Sequence, residues 1–368
     1  MESDYESLLR QVEKLNNLPS QHAFEILDLQ KRHVVAIRIA VELGLFKILV
    51  DSEKPKTSQE LTKMTAGDET LLGRLLRYLA GIDAIAHAGP DSYVATTTSK
   101  AFTTVKGISG SGLFANCLIS SWTKLPKTLA ESGYGNLCDP LHCAFQTGLN
   151  SNDHVFEWFA KNPSALNDFN IFMSAQREGH EYWLDFYPFE RQIGNASQSK
   201  DDTTVLFVDI GGGLGHEIQE IRRRFPTLGG RMVLQDLPQT IEQITAGPAM
   251  EHMVHDFFTL QPVKGAHAYY FRNIFHDWPD KQCRAILRQT CTAMAKGFSK
   301  ILINEMVVPL QGGDLFALQS DINMMSVVTG MERTEKQWHE FLNSVGLEIV
   351  RIWTKDADSE SIIEAMLL

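Results

Sequence analysis

An apolar run that ends in an acid and then breaks into glycines constrains this chain more than any other stretch. Val205-Leu206-Phe207-Val208-Asp209-Ile210 reads as a buried strand, Gly211-Gly212-Gly213-Leu214-Gly215 as a tight turn, and His216 to Phe225 as a helix with Ile218, Ile221 and Phe225 on one face. Glycine lacks Cβ, so the turn can reach positive φ and a ligand can lie against backbone N–H groups. The helix N-terminus beyond it favours a negative ligand group. Met232-Val233-Leu234-Gln235 reads as a second strand, and Asp236 at its tip suits a ribose diol, because a carboxylate accepts from both hydroxyls. The glycines alone do not choose between nicotinamide, flavin and adenosyl ligands. A dinucleotide fingerprint needs a third glycine three residues after the second, and those places hold His216 or Ile218. The dinucleotide reading is demoted on that ground.

Downstream the chain alternates. Strands at 204–210, 231–236, 267–272 and 299–305 are interleaved with helices at 215–225, 238–246 and 279–296, with Met253-Val254 as a short strand. After a long segment come a helix at 334–345, a strand at 347–354 and an apolar strand from Ile362 to Leu367. Such alternation predicts a parallel sheet covered on both faces, with an antiparallel strand at its end. Ligands bind beyond the carboxyl ends of such strands. There the sequence places Asp209, Asp236, His255-Asp256-Phe257-Phe258, Arg272-Asn273-Ile274-Phe275-His276-Asp277-Trp278 and Asn304-Glu305-Met306 in turn. Polar groups at five successive strand ends point to a nucleoside pocket. Asp256 can accept from an exocyclic amine, and Phe257 can cover a purine face.

The N-terminal third reads differently. Met1 to Asn16 has an amphipathic pattern, Gln21 to Leu49 and Glu69 to Leu79 are helical, Thr57 is an N-cap, and Ile82 to Val94 is a hairpin around Gly89-Pro90-Asp91. This is the order of a winged helix. DNA binding is disfavoured, because Arg74 and Arg77 sit among leucines and the formal charge is −11. The surface suits a dimer better. Ser99 to Gly135 is mostly helical, Asn136 to Asn152 irregular, and helices run from Asp153 to Phe159 and from Ser164 to His180. We therefore expect a winged-helix-like domain at 1–110, a helical connecting region at 111–195 and a ligand-binding α/β domain at 196–368. No secretory signal or membrane-length apolar run is read, the five scattered cysteines lack a CxxC, and no His, Asp and Glu cluster closes a metal site. The expectation is a cytoplasmic protein without nucleic acid, membrane or metal partners.

Four motifs in order make a resemblance specific. Val208-Asp209-Ile210-Gly211-Gly212-Gly213, Asp236-Leu237-Pro238, His276-Asp277-Trp278 and Glu332-Arg333-Thr334 are similar to the plant and fungal small-molecule O-methyltransferases, those resembling caffeate and flavonoid O-methyltransferases. The style of the chain is closer to the fungal members, which hints at secondary metabolism. The resemblance covers most of the chain. It implies a Rossmann-like α/β methyltransferase sheet with a mainly helical winged-helix-like dimerisation domain, an intertwined homodimer, S-adenosyl-L-methionine as cofactor and a small-molecule acceptor. Gly211 and Gly213 would then lie beside the cofactor, Asp236 on its ribose, and Asp256 and Phe257 on its adenine. Arg272 stands where the family often has Lys, and either cation can hold a cofactor group. His276 matches a catalytic base flanked by Glu305 and Glu332, and Glu305 is the preferred of the two acids, since Glu332 could instead pair with Arg333 or Lys336. Phe169, Met173, Asn273, Met324 and Val328 would line a flat apolar acceptor.

The chemistry fits these roles. A phenol has a pKa of ~10, and an imidazole of ordinary pKa ~6.5 can take its proton as the bond to methyl forms. A carboxylate on the other ring nitrogen fixes the tautomer. The competing readings are a non-methylating dehydratase or pericyclase that keeps fold and cofactor, a nicotinamide dehydrogenase, and a DNA-binding winged-helix protein.

Overall fold

Capping signals set the first elements. The computed structural model describes residues 32–175, 182–194, 205–244, 250–313, 315–356 and 359–368. The chain divides into two units, one running to Ser120 and taking in Phe159–Gln176, the other formed by Ser121–Trp158 and Arg177–Leu368. In the first, helix α1 (32–42) breaks at Gly44, where φ is 66°, and the chain resumes as α2 (Leu45–Val50). The single helical region read over Gln21 to Leu49 is thus divided in two at this glycine. Strand β1 (Lys56–Thr57) leads into α3 (Ser58–Thr65) through a capping box: Glu60 N donates to Thr57 Oγ1 and Thr57 N to Glu60 Oε2. Asp68 caps α4 (Glu69–Gly81) by accepting from Leu71 N at 2.9 Å. Strands β2 (Ile85–Gly89) and β3 (Ser92–Ala95) form the expected hairpin, and the sheet order is β1-β3-β2. Phe46, Leu72, Leu76, Leu79 and Ile85 fill its core. The amphipathic Met1 to Asn16 lies outside the described residues.

The expected connecting region, 111–195, is shared between the two units. The stretch from Asn136 to Asn152, expected to be irregular, contains a helix at Ala144–Leu149. Its cap is unusual. Cys143 N donates to Gln146 Oε1 at 3.0 Å, while Gln146 Nε2 donates to the carbonyls of Pro140 (3.1 Å) and Asp153 (2.9 Å). Cysteine is not a recognised N-cap residue, so the sequence carried no visible start signal.

In the second unit, strands β4 (Val205–Ile210), β5 (Arg231–Asp236), β6 (Glu251–Val254), β7 (Ala268–Arg272) and β8 (Lys300–Glu305) run parallel. Between and after them lie α5 (His216–Arg224), α6 (Asp280–Cys291), α7 (Leu315–Val327) and α8 (Glu335–Asn343), followed by β9 (Leu347–Trp353) and β10 (Ser361–Leu367). The sheet order is β6-β5-β4-β7-β8-β10-β9, with β10 antiparallel to both its neighbours. Alternate residues feed two separate cores. Tyr269, Phe271, Ile301 and Ile303 pack with Ile286 and Trp338 on one face, and Tyr270 and Leu302 with Trp183 and Ile218 on the other. Helix α7 lies in the long segment to which no element was assigned. Leu315, Leu318 and Ile322 are exposed on it, so no single apolar stripe announces the helix. No helix among the described residues is long and apolar enough to cross a membrane.

The turn after β4 is sterically closed at Gly212. A Cβ there would collide with the Asp209 carboxyl and stand 2.5 Å from Leu234 Cδ1. Gly212→Ala is expected to destabilise the protein by about 2 kcal/mol, the typical cost of overpacking. Thermal melting checks this; an unchanged Tm would contradict the packing described.

Candidate active site

Parallel strands bring the carboxyl ends of β4, β5, β7 and β8 to one edge. At β4 the chain turns through Gly211 (φ 71°), whose N–H donates to Gln235 O at 2.8 Å. Gly213 (φ 60°) donates its N–H to Asp236 Oδ2 at 2.8 Å, and nothing lies within 4 Å of where its Cβ would stand. Asp236 Oδ1 accepts from Leu237 N at 2.7 Å. Burial raises the Asp236 carboxyl above its usual range, against the pull of those two amides. Gly211 faces Ile274 and, at 3.7 Å from its Cβ position, the ring of Phe257. Asp256 is exposed and accepts from Phe258 N at 2.9 Å. The open face at Gly213, the acid at the tip of β5 and the ring beside Gly211 fit an adenosyl group.

At the end of β7 the chain leaves the sheet. Asn273 stands there at φ 52°, a left-handed conformation that asparagine tolerates better than most residues. Its N–H donates to Asn304 O at 3.2 Å, and its Nδ2 to Glu360 Oε1 at 3.2 Å. Arg272 beside it is clasped by the same acid: Nε donates to Glu360 Oε2 at 2.8 Å and Nη2 to Glu360 Oε1 at 2.9 Å. Glu217 stands 3.5 Å from Nη1. Burial works against the guanidinium, but Glu360 and Glu217 outweigh it and hold the charge. Arg272, read as a cation for the cofactor, is thus already paired within the fold.

The turn delivers His276 into a buried cluster. Its Nδ1 lies 2.9 Å from Glu332 Oε1 and its Nε2 3.6 Å from Asp277 Oδ1. Glu332 Oε1 also accepts from Ser320 Oγ at 2.8 Å, and Glu332 N donates to Asp321 Oδ1 at 2.9 Å. Glu305 plays another part. Its Oε1 accepts from the backbone N–H groups of Ile274 (3.1 Å) and Phe275 (2.5 Å), so it clamps the loop rather than bonding the imidazole. Of the two acids read as flanking the ring, Glu332 is therefore the one on Nδ1. The reason is geometric: β8 ends beneath the backbone of the turn, while Glu332 comes from the segment after α7. Arg333 does not pair with Glu332; its Nη1 donates to Phe275 O (2.9 Å) and its Nη2 to Asp280 Oδ1 (2.8 Å). Gly330 has no room for a Cβ, which would run into the His276 carbonyl. Trp278 stacks on His154 with centroids 4.7 Å apart.

Charges here shift one another. Burial opposes the imidazolium, but Glu332, Asp277 and Glu305 outweigh it and lift His276 to about 10 rather than the ordinary value. Burial pushes Asp277 to about 6 and Glu305 to about 7. For Glu332 burial is overcome by His276, Ser320 and Arg333, and its carboxyl stays below the usual range.

Of the residues read as lining an acceptor, Asn273 is on the β7 turn, Met324 is half-buried on α7, and Val328 is buried just beyond it. The Met324 carbonyl accepts from Val328 N and Gly330 N, and Met331 N donates to His276 O, so the end of α7 is tied to the turn that carries His276. Phe169 and Met173 lie on the helix Pro163–Ala175 of the first unit, where Phe169 stacks on Phe159 at 4.8 Å. Ser320, Asp321, Glu217 and Glu360 were not foreseen. Only Glu217, in the first turn of the helix after the glycines, carried a local signal.

The strand order and the groups along this edge define an S-adenosylmethionine-binding α/β methyltransferase. The chain belongs to the O-methyltransferase family: residues 198–348 match the family model of its O-methyltransferase domain and residues 32–105 that of its dimerisation domain. It is 45% identical over 328 residues to the methyltransferase cfoC of Aspergillus candidus, covering 89% of this chain and 82% of that one. It is 36% identical to a demethylsterigmatocystin 6-O-methyltransferase of Aspergillus parasiticus, covering 90% and 85%. A solved structure described as a pericyclic reaction enzyme superposes with a TM-score of 0.87 at 29% identity, covering all of this chain and 94% of that one. Similar solved structures include complexes with S-adenosylmethionine, S-adenosylhomocysteine and sinefungin, and S-adenosylmethionine is the cofactor of the family.

Glu305 gives a test of this electrostatics. Its folded pKa of about 7 lies above the unperturbed 4.5, so the neutral acid contributes stability that is complete below pH ~4.5 and lost as pH rises through 7. Glu305→Gln keeps a neutral acceptor at every pH. Its stability relative to the native protein should rise between pH 5 and 7.5 by up to about 3 kcal/mol and then level off. Denaturant titrations at several pH values read this; a difference independent of pH would refute it.

Proposed function

We propose that the protein transfers methyl from S-adenosylmethionine to a hydroxyl of an aromatic or polyketide-like small molecule, with His276 as general base. The observation that carries this is the buried His276–Glu332 pair at 2.9 Å, on the turn that follows the glycine-lined strand ends. The cofactor supplies an electrophilic methyl group. Gly211, Gly213, Asp236, Asp256 and Phe257 are the residues we assign to holding it, with Arg272 ordering the adjoining turn through Glu360 and Glu217. Glu332 bonds Nδ1, which leaves Nε2 as the atom that takes the acceptor proton. Glu332 then stabilises the imidazolium as it forms, and Glu305 holds the backbone that carries the ring. The gain beyond proton removal is orientation of oxygen against methyl.

A planar acceptor is supported by the soft side chain of Met324 near the end of α7, close in the chain to Val328, and by the demethylsterigmatocystin in the name of one relative. Phe169 and Met173 are assigned to the same role on their residue types. The matched dimerisation domain supports action as a homodimer. Because the similar structures include a pericyclic reaction enzyme, the alternative is use of the cofactor without transfer. The two part on one measurement: S-adenosylhomocysteine forms in step with product only in methyl transfer.

His276→Asn, which can still donate to Glu332, should lower kcat/KM about 10²- to 10⁴-fold at pH 7.5. S-adenosylhomocysteine affinity by calorimetry should stay within about threefold. Equal loss of both would assign His276 to binding instead. In the native enzyme kcat/KM should climb from pH 7 towards 9, because the base works only when neutral and its pKa is raised.

A further inference from the structure

One hydrogen-bond donor in the cluster has no role in the reaction just described. Ser320 sits on α7, where a serine ordinarily returns its proton to a carbonyl one turn back. Here its hydroxyl reaches Glu332 Oε1 at 2.8 Å, the same oxygen that His276 Nδ1 meets at 2.9 Å. An ionised carboxylate only accepts, so Ser320 is the donor. Glu332 Oε2 is buried and has no hydrogen-bond partner among the described residues. Both donors therefore load one oxygen. Asp321, next along the helix, accepts the Glu332 backbone N–H at 2.9 Å, so α7 grips this acid at main chain and side chain together.

We propose that Ser320 is a positioning residue: by sharing Glu332 Oε1 with His276 it draws charge off the carboxylate and loosens its hold on the imidazole proton. The inference deepens the reading of His276 as base and rests on it for its kinetic arm alone. A hydrogen bond to the charged form stabilises a carboxylate, so less of its charge is left for the imidazolium. The other charges facing the ring are Asp277 on its own turn and Glu305 at the end of β8. Those facing Glu332 are Arg333 and Asp321, and Asp277 and Glu305 again. None of them is chemically altered when the Ser320 hydroxyl is removed. Removing it leaves His276 as the single side-chain donor to Glu332 that the structure displays, which strengthens that pair and makes the neutral base scarcer.

The test uses the full chain. Histidine labelled with ¹³C is titrated by NMR without ligands, the His276 signal being assigned with His276→Asn. In Ser320→Ala the His276 midpoint should rise by about half to one pH unit, and Ser320→Thr, which restores the hydroxyl, should return it towards the native value. With cofactor and acceptor, Ser320→Ala should lower kcat/KM about two- to threefold at pH 8, the loss of neutral rings being part offset by their greater basicity, a deficit that narrows as pH rises, while S-adenosylhomocysteine affinity is unchanged. A midpoint that stays or falls, or a deficit equal at every pH, overturns the proposal. Full activity in His276→Asn would instead overturn the base assignment, and the NMR midpoint would still report on Ser320.

Discussion

Burying an imidazolium among three carboxyl groups is the constraint on which this edge of the sheet depends. Each isolated charge taken from water costs several kcal/mol, and a pair repays more of this the more of its hydrogen-bonding sites are met. His276 has Glu332 on one nitrogen. Glu332 has Ser320 on its oxygen and Asp321 on its amide. Glu305 accepts two backbone N–H groups, and Arg333 lies beneath them on the Phe275 carbonyl, over the rings of Trp338 and Phe341. The side chain, main chain and underlying cation of one loop are thus fixed together. Displacing any member leaves another buried and unmet, which is why the ring has one position.

A second charged cluster fixes where that loop begins. Glu360, between β9 and β10, clasps Arg272 at the end of β7 and reaches Asn273 as well. Glu217, opposite, is bonded by Tyr182 and Trp183. The antiparallel β10 lays the C-terminal hairpin beside β8, and so brings Glu360 within reach of β7. Asn273, left-handed, lies between the two clusters. The second cluster therefore anchors the start of the turn that carries His276 and Asp277 into the first.

What the sequence revealed and what it hid follow from the same physics. The strands were legible because they are buried on both faces and interrupted by glycine, proline or acid, and the strand-end acids because topology alone sends them to one edge. Glu305 and Glu332 were both marked, but their division of labour was not, since it turns on which is beneath the backbone and which is beside the ring. Glu360 was invisible for another reason: its partner is 88 residues away and its own neighbourhood reads as a turn. Ser320 looked like filler in a helix whose apolar residues have no single face, and that helix was itself missed. The helix at Ala144–Leu149 hid behind a cysteine cap.

In the role of base proposed for it, His276 is affected in two opposed ways by its raised affinity for protons. A stronger base accepts a phenolic proton more readily, and a ring lifted to about 10 is matched to an acceptor of pKa ~10. The same lift leaves few neutral rings at pH 7. Proton transfer is only part complete in the transition state, so strength grows with basicity more slowly than the neutral population falls. At neutral pH any added hold on the proton therefore slows the reaction. Glu332 is needed to orient the ring, yet an unshared carboxylate would hold the proton harder. A hydroxyl on the oxygen that faces the imidazole keeps the orientation and gives up part of the attraction, which is the arrangement this cluster displays.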